Sequence, residues 1–242
     1  MSAIAIRDLT KKYNDTTAVD SLSLDIADGE LFSLLGINGA GKTTTIKMLS
    51  CLTAPTSGDA TVLGHSIVTD VGGVKTTLAV SPQETAVAMG LTVRENLDLI
   101  CGIHGYKRER AKEKIDQIST ALSLDGVLDK RASKLSGGYQ RRLSIAMALI
   151  GEPRVLFLDE PTLGLDVISR SELWDLICTL KGRMTIILTT HYMEEAEALS
   201  DRIGIMKDGR LIALGTADEL KAQAGVEKFE DAFVAIVRGD KK

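Results

Sequence analysis

Eight residues, Gly36-Ile37-Asn38-Gly39-Ala40-Gly41-Lys42-Thr43, constrain this 242-residue chain more than any other stretch. They carry the spacing Gly, four residues, Gly-Lys-Thr. A glycine-rich backbone can curl until successive N–H groups point inward at one anion. Leu31–Leu35 before it reads as a short strand, and Thr43 to Leu52 after it as a helix whose positive N-terminal end faces the same anion. Lysine and a hydroxyl at this point suit a nucleoside triphosphate, with Lys42 on the β- and γ-phosphates and the Thr43 hydroxyl on Mg2+. An ordinary glycine-rich turn between strand and helix has no need of the Lys-Thr pair. The loop therefore demands a strand–loop–helix unit in an α/β fold, yet by itself it serves GTPases, kinases and helicases alike.

The remaining sequence supplies such a core. Residues 154–158 (RVLFL) and 184–189 (MTIILT) are compact apolar runs, as expected of parallel strands covered on both faces. Residues 76–82 hold another short strand, and 203–215 read as two strands around a tight turn at Asp208-Gly209. Residues 4–10 and 19–26 alternate apolar and polar, so 4–30 reads as a small antiparallel sheet leaning on the core. From about 92 to 150 the period changes to that of helices. Ile115, Ile118 and Leu122 share one face of 107–122, and the charges at 107–114 read as its solvated face. A C-terminal helix begins near Asp218. No repeat or low-complexity tract interrupts this order.

Composition excludes several classes. Hydrophobic residues make up 44% and charged residues 26%, ordinary values for a folded globular chain. A net charge of −4 without a basic stripe gives no reason to expect nucleic acid. Cys51, Cys101 and Cys178 form no Cys-x-x-Cys pair and read as small buried apolar residues or spare thiols, a set that fits a reducing cytoplasm. Met1-Ser2-Ala3-Ile4 runs into strand-like sequence with no secretory pattern, and no apolar run approaches the roughly 20 residues needed to cross a bilayer. A membrane role must then come through a partner.

Two further motifs narrow the choice. Leu135-Ser136-Gly137-Gly138-Tyr139-Gln140 precedes a helix through Ile150; alone, Ser136 is an ordinary helix cap. Val155-Leu156-Phe157-Leu158 leads into Asp159-Glu160; alone, this is a buried strand with a charged end. Taken in order after the phosphate loop, they resemble the nucleotide-binding domain of an ATP-binding-cassette (ABC) transporter, over nearly the whole chain. Pro161–Asp166 matches that family's D-loop, Gln83 its Q-loop, His191 its switch histidine and Tyr13 its adenine-stacking aromatic. Each has a plainer reading: Gln83 as a polar loop residue, His191 as a helix cap, Tyr13 as core. Ile37 stands where many members have proline, and Tyr139 replaces a more usual Gln or Met.

The resemblance implies a P-loop NTPase core with a mainly parallel sheet, an N-terminal antiparallel β-subdomain and an inserted α-helical subdomain. Residues 1–220 would form the ATPase domain, with the insert at about 86–150 and a C-terminal helical extension at 221–242. Two copies, or one copy and a related subunit, would sandwich ATP head to tail. Tyr13, Gly36, Asn38, Gly39, Ala40, Gly41, Lys42, Thr43 and Thr44 would hold the nucleotide of one copy. Ser136, Gly137, Gly138 and Gln140 of the other would close on it. Thr43, Gln83 and Asp159 would serve Mg2+, and Glu160, His191 and Gln83 the reaction. The stretch Leu214–Leu220 and Phe229–Phe233 resembles the ATPases of ABC-2-type exporters, which implies an integral membrane permease subunit and a place on the cytoplasmic face of the cell membrane. The alternative is a soluble ABC-type ATPase outside transport. Against it stand the short span of about 90 residues between Thr43 and Leu135, with no room for a long coiled coil, and the single cassette.

Overall fold

The computed structural model describes residues 2–239. Its core is a six-stranded sheet built from β3 (Leu31–Leu35), β6 (Leu78–Ser81), β7 (Val155–Asp159), β8 (Thr185–Thr190), β9 (Arg202–Lys207) and β10 (Arg210–Gly215). The order is β10-β9-β3-β8-β7-β6, all parallel except the β9–β10 hairpin. Alternate side chains explain the unbroken apolar runs. Val155, Phe157 and Ile187 enter one core, while Leu156, Leu158, Ile186 and Leu188 enter the core on the opposite face. The turn at Asp208-Gly209 has positive φ at both residues, 49° and 79°, as the expected tight hairpin requires.

A second sheet, ordered β2-β1-β4-β5, is antiparallel: β1 (Ser2–Tyr13), β2 (Thr16–Ala27), β4 (Ser57–Val62) and β5 (His65–Ser66). The sequence pattern indicated its first two strands only. β4, Ser-Gly-Asp-Ala-Thr-Val, is too small and polar to read as a strand alone and is recruited by pairing with β1. Two boundaries also differ. The helix α1 is Lys42–Leu49 rather than 43–52, because the Ser50 hydroxyl bonds back to Ile46 O at 2.7 Å and Cys51 turns left-handed at φ 56°. The strand expected at 76–82 shortens to β6, because Asp70 caps a helix, α2 (Val71–Thr77), through Gly73 N.

The insert contains α3 (Val93–Ile103) and α4 (Arg108–Ala121), followed by α5 (Gly137–Leu149), which packs back against β6. Thr92 and Glu95 form a capping box on α3. Ile115, Ile118 and Leu122 are buried as their spacing required. Lys114, expected on the solvated face, is instead buried and paired with Glu152. After α6 (Val167–Leu180) and α7 (Met193–Leu199), the chain ends in two helices where one was expected, α8 (Ala217–Ala224) and α9 (Phe229–Arg238). Gly225 at φ 68° ends α8, so the helical run breaks there. Phe229 and Phe233 of α9 pack with Leu35, Ile203 and Ile205 from the sheet and Ala196 from α7. The expected extension at 221–242 continues three residues beyond the described ones.

Candidate functional site

The loop from Gly36 to Gly41 joins the tip of β3 to the first turn of α1. A Cβ on Gly36 would lie 2.5 Å from Met206 O, and Gly41, at φ 103°, would place one 2.5 Å from Ala18 O. Neither position admits a side chain, which is why the loop can hug both neighbouring strands. Lys42 is 5% exposed; its Nζ donates to Gly36 O at 2.7 Å and lies 3.3 Å from Glu160 Oε1. Ile37, the departure from the usual loop, faces solvent at 52% exposure and disturbs none of these contacts.

The strand tips supply the acids. Thr43 Oγ1 donates to Asp159 Oδ1 at 3.1 Å, and Thr189, at the tip of β8, donates to the same oxygen. Glu160 is held beyond the strand in a left-handed conformation, φ 49°, by Glu160 N donating to Thr189 O at 3.1 Å. Such a conformation is uncommon outside glycine, and it turns the Glu160 side chain toward Lys42 and His191. His191 Nδ1 and Glu160 Oε2 are 2.6 Å apart. The carboxylate can only accept, so Nδ1 carries the proton and Nε2 is left for another partner.

These groups share one cavity of about 590 Å3. Tyr13, Asn38, Gly39, Ala40, Gly41, Lys42, Thr43, Thr44, Gln83, Glu160 and His191 line it, together with Thr16, Thr17, Ala18 and Leu163. Gly36 lies behind it, bonded to Lys42, and Asp159 reaches it through Thr43. Tyr13 is 47% exposed at one end, with Lys11 Nζ 5.0 Å from its ring centroid. Eleven of the residues expected on one copy's site thus meet from distant parts of the sequence.

The signature residues do not join them. Ser136 caps α5, accepting from Tyr139 N, and Ser136 and Gly137 are exposed. Gly138 is buried against Ser169 of α6. Gln140 turns its amide to Ala132 O and Leu135 O, fixing the turn before the helix. The Tyr139 ring lies against Arg142, 5.3 Å from its guanidinium.

Three residues near the site went unnoticed in the sequence. Thr189 orients both Asp159 and the Glu160 backbone, and its only sequence signal is a hydroxyl two residues before His191. Glu195 is fully buried and accepts from Trp174 Nε1 at 3.1 Å; burial pushes its carboxyl above the usual range, and the charge of Glu160 adds to the rise. Arg141 on α5 is likewise buried, and burial pulls its guanidinium down while Asp159 and Glu195 oppose the shift.

The family model described as ABC transporter matches residues 19–163, from β2 through the phosphate loop and signature to the D-loop. The chain belongs to the ABC transporter family. Among relatives, the daunorubicin resistance ATP-binding protein DrrA3 of Streptomyces coeruleorubidus is 42% identical over 230 residues, covering 95% of this chain and 73% of that protein. The probable multidrug ABC transporter ATP-binding protein YbhF of Escherichia coli is 40% identical over 98% of this chain, which spans 42% of that longer protein. A solved ATP-binding subunit of an ABC transporter superposes with a TM-score of 0.85 at 26% identity, covering 97% of this chain and 99% of that one. The fold expected from the motifs is therefore the fold observed. The chain is an ATP-binding, ATP-hydrolysing domain of this family.

Proposed function

We propose that this chain is the ATP-hydrolysing subunit of an ABC-2-type exporter and works as a head-to-tail dimer around ATP. One observation carries the composite site: the phosphate-holding groups gather in one cavity, whereas Ser136 and Gly137 stand exposed at a helix N-terminus outside it. The free N–H groups and dipole of that terminus suit a γ-phosphate held by a second chain. Exposed Leu163, Val167 and Ile168, in and just after the D-loop, add apolar surface suited to such a contact.

The donor set fits Mg2+. Thr43 Oγ1 and Asp159 Oδ1 are adjacent hard oxygens, and Gln83 lines the same cavity. Mg2+ takes one or two protein ligands and keeps waters and phosphate oxygens for the rest. When bound, it neutralises charge on the β- and γ-phosphates. Lys42 adds its own charge there, and the Tyr13 ring offers a stacking face for adenine. Glu160 accepts the proton of the attacking water as general base. His191, oriented by Glu160 through Nδ1, directs Nε2 toward the γ-phosphate and the water.

The membrane partner is inferred from a second cavity, about 520 Å3, between β6 and the insert. Leu78, Val80, Pro82, Ala86, Ile100 and Met147 line it. Such a groove accepts an amphipathic helix from a permease. No helix among the described residues is long and apolar enough to cross a membrane. We place the chain on the cytoplasmic face through that partner. The drug-resistance relatives support export over an ATPase role outside transport.

The test is a mixing experiment. Ser136→Arg fills the place of the partner's γ-phosphate and abolishes hydrolysis while leaving the chain's own ATP affinity intact. Lys42→Ala damages the loop. Mixed in equal amounts, the two variants form some dimers with one undamaged composite site, so phosphate release should exceed the sum of the separate preparations. Normal hydrolysis by Ser136→Arg alone would reduce the signature to a helix cap.

A further inference from the structure

One buried cation near the site belongs neither to the phosphate loop nor to the signature. Arg141 is 5% exposed, on the face of α5 turned toward the end of β6. Its Nη1 donates to Pro82 O at 2.6 Å and its Nη2 to Gln83 O at 2.7 Å. A planar guanidinium spans two successive carbonyls in this way; a single ammonium does not. One turn further along α5, Ser144 Oγ pairs with Ser81 Oγ at 2.9 Å. The backbone from Ser81 to Gln83 is thus fastened to α5 by three side-chain hydrogen bonds. Burying a guanidinium is costly, and merely closing a turn does not require one. What the fork adds is direction, since the Gln83 backbone must follow α5.

The same helix touches three working places. Its N-terminus is Ser136–Gly138, its middle holds Gln83 through Arg141, and Met147 lines the groove beside β6. At about 1.5 Å per residue, Ser136 and Met147 lie roughly 16 Å apart along one stiff rod. A tilt of that rod at either end moves the fork and the backbone it grips.

We propose that Arg141 is a positioning residue: it sets Gln83 in the nucleotide cavity from the signature helix, so that a shift of α5 is transmitted to the ATP site of its own chain. This rests on the role assigned to Gln83 above. The transmission runs both ways, linking the partner's nucleotide at one end of α5 with the permease groove at the other.

The test compares Arg141→Gln, Arg141→Lys, Gln83→Ala and the double variant Gln83→Ala/Arg141→Gln in the full chain. Arg141→Gln should lower kcat roughly 10- to 100-fold, the scale of a misplaced catalytic group, with KM for ATP within about twofold. Arg141→Lys keeps the charge and one bond, and should recover at least about threefold of that loss. In the double variant kcat should match Gln83→Ala within about twofold, because both changes break one link. Additive losses would show that Arg141 acts otherwise and would overturn the proposal, as would a normal kcat in Arg141→Gln. A normal kcat in Gln83→Ala would overturn the role of Gln83 itself and the proposal with it. Should Arg141→Gln fail to fold, Ser144→Ala loosens the same seam. It should lower kcat about threefold at unchanged KM, and no further on top of Gln83→Ala; any other pattern counts against the proposal.

Discussion

At the phosphate loop, Lys42, Asp159 and Glu160 are each under a tenth exposed: Lys42 pairs with Glu160, Thr189 bridges the two acidic residues, and Thr43 and His191 hold Asp159 and Glu160 in turn. At the start of α5, Ser136 and Gly137 face solvent, and the Ser136 hydroxyl does no more than cap its own helix. The first region is assembled within one chain, with charges that satisfy each other. The second is a presented end where the Gly137 and Gly138 N–H groups meet no partner among the described residues. On the proposed reading, residues dedicated to a ligand within one chain interlock, and residues dedicated to another chain's ligand stay at the surface.

Single substitutions can break that contrast. The largest effect should come from Glu160→Gln, which lowers turnover roughly 10²- to 10⁴-fold, the usual range of general-base catalysis. ATP binding is kept, so the variant should accumulate as an ATP-bound dimer, visible by light scattering with and without ATP. Wild-type turnover in this variant would pass the base role to another residue, with His191 next. Lys42→Ala comes second. Losing a charge-assisted contact of about 1.5–3 kcal/mol should weaken ATP binding at least ~10-fold, read by titration with a fluorescent analogue.

Ser136→Ala should give the smallest change. It removes a cap and costs about 1 kcal/mol, roughly 2–4 °C in Tm for a chain of this size. Its effect on the chain's own ATP affinity should be nil. A large loss of affinity would place Ser136 in its own chain's site and erase the distinction between the two regions.

How much of this was legible in the sequence follows the same division. The phosphate loop, the Asp159-Glu160 tip and the signature were readable because each needs particular residue types at fixed local spacing. The parallel core was readable because strands covered on both faces must be apolar throughout, as in Val155–Leu158. β4 was not, because its pairing partner β1 lies some 50 residues earlier and Ser57–Val62 carries no pattern of its own. The break between α8 and α9 rests on one glycine in a left-handed turn. Arg141 was hidden because its partners are backbone carbonyls, which leave no mark in a sequence.

The two C-terminal helices bear on how such an ATPase can be trimmed or tagged. Phe229 is 2% exposed and shares a cluster with Leu35, the residue immediately before Gly36. Cutting the chain after residue 220 would remove that phenylalanine along with Phe233, each worth about 3–5 kcal/mol by the measure of aromatic-to-alanine core replacements. The sheet residues Ile203 and Ile205 would lose their cover directly beneath the nucleotide loop. A minimal version for expression or fusion work should therefore keep 221–239, and a label is better carried on the exposed tip of a surface turn than in place of α9.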